Sequence, residues 1–107
     1  MNTIAREELK AKLDRGEKVK LIMSLGQNAF TKVHIPGSLN FDDIKEAVKQ
    51  LSPTEEVVVY CTTQACRASM QAYQVLHSLG FNKLYRYSGG LEEWSEAGYP
   101  LEGSLVQ

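Results

Sequence analysis

Cysteine is scarce in this sequence of 107 residues, which has two, at positions 61 and 66. Two are too few for a disulfide scaffold, so a hydrophobic core must hold the chain and the expected setting is the cytoplasm, with thiols reduced. Long apolar runs are missing as well. The longest, Val57-Val58-Val59-Tyr60-Cys61, falls far short of the roughly 20 residues of a membrane span. Met1-Asn2-Thr3-Ile4-Ala5-Arg6-Glu7-Glu8 is charged too early and too often for a secretory signal. Charge of one sign is also absent. Twelve basic and thirteen acidic residues leave a formal charge of −1, which offers no footprint for nucleic acid or an anionic membrane. Metal-ligand spacing is lacking: the cysteines do not form a C-x₂-C knuckle, and His34 and His77 show no paired spacing. No metal site is expected.

What is present fits one domain over residues 1–107, with 43% hydrophobic and 23% charged residues, near the average for globular proteins. Ala5, Leu9 and Leu13 recur every four residues and predict a helix over 3–15, stopped by Gly16. A short strand is expected at 19–23. Ile44, Ala47, Val48 and Leu51 share one face of a helix predicted over 41–51, which Ser52-Pro53 ends. Residues 57–60 are apolar at every position, the pattern of a strand buried on both faces of a parallel sheet. A helix with Ala68, Ala72, Val75, Leu76 and Leu79 on one side follows, then a strand at 83–87, the Gly89-Gly90 loop and a helix at 91–97. Strands separated by helices indicate an α/β fold. Such sheets place their sites where strand carboxyl ends meet helix amino ends, and Cys61 falls at that kind of place.

The loop Cys61-Thr62-Thr63-Gln64-Ala65-Cys66-Arg67 is therefore the candidate site. A free cysteine is only a few per cent thiolate at neutral pH. Backbone N–H groups curled toward the sulfur ahead of a helix amino terminus lower its pKa, and an inward Arg67 would add a full charge. Those groups would also stabilise an anion bound above the sulfur. The pattern suits nucleophilic thiolate chemistry on an anionic or sulfur-rich substrate. The competing reading is a cysteine that simply packs at a strand end, since free cysteine is among the most buried residues.

Three further segments carry a resemblance. His34-Ile35-Pro36-Gly37-Ser38-Leu39-Asn40, the strand 57–60 leading into Cys61, and Ser88-Gly89-Gly90-Leu91-Glu92-Glu93-Trp94 followed by Ala97-Gly98-Tyr99-Pro100-Leu101 resemble the motifs of rhodanese-like sulfurtransferase domains, in order and spacing. The resemblance implies a central, mainly parallel sheet of about five short strands flanked by helices on both faces. It also implies that Cys61 accepts a sulfane sulfur from thiosulfate or a persulfide, holds it as a persulfide, and passes it to a thiol or cyanide. That is covalent catalysis in two displacement steps without a cofactor. The implied partners are a small sulfur donor and a thiol acceptor, including a protein persulfide or a thioredoxin-like protein.

Two departures keep alternatives open. Met23 and Leu25 stand where the family usually has Asp and Arg, which motivates the alternative of a non-catalytic, carrier or partner-docking domain. The spacing Cys61-x₅-Arg67 also fits the longer loop of phosphatases and arsenate reductases of the same fold. A subset of rhodanese-like proteins resembles this chain in having a second loop cysteine. Cys66 then has three readings: a resolving thiol that closes a Cys61–Cys66 disulfide, a second sulfur carrier, or a small packed residue. His34, beside a Pro36-Gly37 pair suited to a type II turn, is expected to hydrogen-bond loop backbone rather than to act as a base. Trp94 is expected in the core beside the last helix.

Overall fold

The computed structural model describes residues 1–63 and 65–106. The apolar run before Cys61 forms the middle strand of a parallel sheet. Strands β1 (Val19–Met23), β2 (Glu56–Tyr60) and β3 (Leu84–Tyr87) lie in the order β1-β2-β3. Leu21 lies opposite Val58, Met23 opposite Tyr60, and Tyr60 opposite Tyr87, so the carboxyl ends of all three strands align beside Cys61.

About five strands were expected, and the described residues form three. Single parallel bridges extend the sheet at each edge, Leu39 beside Ile22 and Thr3 beside Arg86. The edge segments are too short for ladders: one leaves the Pro36-Gly37 turn, and the other runs directly into the first helix.

Alternation along β2 divides the core into two layers. Val58 and Tyr60 face one side with Leu21, Met23, Leu9, Leu91 and Trp94. Val57 and Val59 face the other with Ile22, Ala47, Ala72, Leu76 and Leu84. Helices α1 (Arg6–Asp14) and α5 (Gly90–Glu96) supply the first layer, and α3 (Ala47–Gln50) and α4 (Ala68–Ser78) the second. Both faces of the sheet are thus covered, as a parallel sheet requires.

The helices depart from the periodicity in three places. The first begins at Arg6, because residues 2–4 pair with β3: the Arg86 N–H donates to Asn2 O at 2.8 Å and the Ile4 N–H to Arg86 O at 3.1 Å. The helix expected over 41–51 is broken into a 3₁₀ turn at Ile44–Glu46 and the short α3. Asp43 caps that turn, accepting from the Lys45 N–H at 3.0 Å. The tighter winding rotates the predicted face, so Ala47 and Leu51 are buried while Val48 is 43% exposed. A further helix, α2 (Gln27–Lys32), carries only Ala29 and Phe30 as apolar residues and buries no residue fully, so it left no periodic signal. Pro36 and Gly37 occupy the centre of the expected turn, closed by the Ser38 N–H to Ile35 O at 3.0 Å, with Gly37 at φ +85°.

Candidate active site

Cys61 directly follows the central strand and is 1% exposed. The loop beyond it runs to Arg67, the N-cap residue of α4. Thr62, Ala65 and Arg67 are exposed, and Thr63 and Cys66 are half-buried. Gln64, also expected in the site, lies outside the described residues. Cys61 and Cys66 are joined by a disulfide, their Cα atoms 6.3 Å apart. The expectation of two reduced thiols is therefore replaced by a bonded pair. The loop must be curled, since an extended chain of six residues would hold those atoms far beyond disulfide reach.

Neighbouring elements hold the loop at several points. The Leu91 N–H donates to Cys61 O at 3.0 Å and the Glu92 N–H to Thr62 O at 2.9 Å, so the first turn of α5 grips the loop's start. Gly90 makes that approach possible: its φ is +64°, and a Cβ there would sit 2.5 Å from Cys61 O. Within the loop, the Cys66 N–H donates to Thr63 O at 3.1 Å. Behind it, the Ser24 N–H donates to Tyr60 O at 2.9 Å, joining the end of β1 to the end of β2.

Tyr60 anchors the other side. Its hydroxyl accepts from the Ile35 N–H at 3.0 Å and shares a hydrogen bond with Ser38 Oγ at 2.6 Å, fixing the Pro36-Gly37 turn beneath the site. Burial pushes the Tyr60 phenol up to about 12, so it stays neutral across the physiological range. Met23 is buried in the core and Leu25 packs against it, at the two positions that depart from the family's usual pattern. The Asn40 amide donates to Met23 O at 3.1 Å and Leu25 O at 2.6 Å, tying the end of β1 to the segment that follows the Pro36-Gly37 turn.

The arginine that reaches the loop is not Arg67, which points its residue surface to solvent, but Arg86 of β3. Arg86 is 7% exposed; its Nε donates to Ser69 Oγ at 2.8 Å and its Nη2 to Cys66 O at 3.4 Å. Sequence reasoning passed over Arg86. The available signal was a cation inside a strand of a two-sided buried sheet, where a charge needs partners. His34 is engaged away from the cysteine pair: Nδ1 is 2.6 Å from Phe30 O, Nε2 is 2.9 Å from Glu102 Oε1, and the ring stacks on Phe30. Trp94 is buried and donates to Pro100 O at 2.8 Å.

A cavity of about 380 Å³ lies where the end of β1 meets the first turns of α4, lined by Met23, Ser24, Asp42, Asp43, Ala68 and Ala72 among others. Ser24 Oγ is buried without a partner among the described residues. No group of three or more His, Cys, Asp or Glu residues suited to a metal ion occurs among the described residues. No helix among them is long and apolar enough to cross a membrane.

A parallel sheet covered on both faces, with a cysteine loop at its carboxyl edge, defines a class of α/β domains. This chain belongs to the rhodanese-like domain family, whose model matches residues 5–97. It is 23% identical over 94 residues to the Bacillus subtilis protein named Putative sulfur carrier protein YrkF; the match takes in 86% of this chain and spans half the length of that relative. Among solved structures, it is similar to a rhodanese-like domain from Anabaena, with TM-score 0.88 and 25% identity, covering 98% of this chain and 81% of that one. It also shares its fold with a thiosulfate sulfurtransferase from Pseudomonas aeruginosa, with TM-score 0.82 and 22% identity, covering all of this chain and 21% of that one.

Proposed function

We propose that the domain is a sulfurtransferase that carries sulfane sulfur on Cys61. The observation that carries this reading is the direction of the sulfur: Cys61, buried at the end of the central strand, turns its Sγ across the curled loop to Cys66. In the reduced protein, the Cys61 thiolate attacks the outer sulfur of thiosulfate or of a persulfide donor, and sulfite or a thiolate leaves with the electron pair. The resulting persulfide passes its outer sulfur to a thiol or cyanide. Arg86 reaches the same loop through the Cys66 carbonyl, which brings a cation to the side of the site where an anionic donor would bind. The names of the Bacillus and Pseudomonas proteins support sulfur transfer as the class of reaction.

The phosphatase or arsenate reductase reading draws no support from an exposed Arg67, because an oxyanion cradle needs that guanidinium turned inward. A carrier that hands sulfur to a protein acceptor uses the same Cys61 persulfide and differs only in its acceptor. The test is thiocyanate formation by the reduced protein, supplied with thiosulfate or glutathione persulfide and then cyanide. Cys61→Ser is expected to lose this activity at least about a hundredfold. Undiminished turnover in that variant overturns the assignment.

A further inference from the structure

We propose that Cys66 is a resolving thiol that discharges the Cys61 persulfide as free sulfide, so the domain also acts as a dithiol-dependent reductase of sulfane sulfur. This inference rests on the Cys61 persulfide reading. The two cysteines are already bonded, with Cα atoms 6.3 Å apart inside one loop. The bond bridges only five positions, and closing so short a loop removes less unfolded-chain entropy than a bridge between distant segments would, so it is poorly placed as a structural staple. Cys66 is also held independently of it. Its N–H is bonded to Thr63 O and its carbonyl to Arg86, which keeps the thiol within reach of Cys61 once the disulfide opens.

The step balances without an outside oxidant. The Cys66 thiolate attacks Cys61 Sγ, and the bond from that sulfur to the sulfane sulfur breaks. The sulfane sulfur leaves as hydrosulfide, taking the electron pair and, overall, the proton that Cys66 gave up. Sulfane sulfur is thereby reduced to sulfide while two thiols are oxidised to the disulfide. Resetting needs a dithiol reductant of the thioredoxin class. Exposure directs its attack: Cys66 is half-buried and Cys61 is 1% exposed, so the reductant meets the Cys66 sulfur and the Cys61 thiolate leaves. The arrangement opens a second outlet for bound sulfur, used when no acceptor collects it.

The test is a single turnover of fully reduced protein in thiosulfate, with excess reductant removed. Sulfite reports loading of Cys61 and sulfide reports discharge. A parallel loading with glutathione persulfide is read by protein mass. Wild type is expected to release about one sulfide per sulfite and to end as the disulfide, whereas Cys66→Ser retains one added sulfur atom on Cys61 and releases at most about one-tenth as much sulfide. Stable persulfide on both proteins, with equal sulfide, overturns the resolving role and leaves the Cys61 reading standing. Failure of both proteins to take sulfur from either donor overturns the two together.

Discussion

Arg86 shows how one side chain ties the sheet to the chemistry above it. It stands on β3 with its backbone paired to residues 2–4, while its guanidinium passes under α4 to Ser69 and the Cys66 carbonyl. A buried cation is tolerated only where such partners meet it. Arg86→Met removes a donor from the Ser69 hydroxyl, itself 1% exposed, and is expected to cost about 1–3 kcal/mol in urea unfolding. Arg86→Lys keeps the charge but loses the forked geometry, so it should fall between wild type and Arg86→Met. Equal stability of all three proteins would show that these contacts add nothing.

Elements rather than residues decide how the cysteine loop is shaped. The end of β2, the disulfide and the N-cap of α4 fall within residues 60–67, and α5 supplies the closest approach through Gly90. A methyl group at Gly90 would collide with Cys61 O and would also require a left-handed backbone from alanine. Gly90→Ala is expected to destabilise the fold by about 2 kcal/mol or more and to speed alkylation of reduced Cys61 as the loop loosens. Urea unfolding beside iodoacetamide kinetics checks both effects. At this scale the sequence was only partly legible. Val57 to Tyr60 announced the central strand by continuous apolarity, and Cys61 followed from its position. The helix at 41–51 was misjudged because Asp43 caps a 3₁₀ turn that changes the period, and α2 was missed because Ala29 and Phe30 are too few for an apolar face.

Across the whole molecule, stability resides in two apolar layers separated by the sheet. Val58 is fully buried in one of them, whereas Val48, predicted on a buried face, is 43% exposed. Val58→Ala is expected to cost about 2–3 kcal/mol through a cavity that β1 and β3 cannot close. Val48→Ala should stay within about 0.5 kcal/mol of wild type. Urea midpoints at equal slope separate the two, and a comparable loss at Val48 would contradict its place at the surface.

The sequence by itself determined the fold class, the place of Cys61 at the end of the central strand and the Pro36-Gly37 turn. These depend on local chemistry: continuous apolarity, the order of elements, and backbone preferences set by a few residues. Tertiary structure alone decided which arginine reaches the loop and which side chain holds the Met23 and Leu25 carbonyls. Arg86, Asn40 and Gly90 are separated from the residues they hold by 15 or more positions, and Arg86 and Asn40 act on atoms that every residue carries, a backbone carbonyl above all. The scarcity of cysteine also gains its meaning there. Spacing allowed Cys61 and Cys66 to meet, but the curl imposed by α5, β3 and the Thr63 turn brings them together.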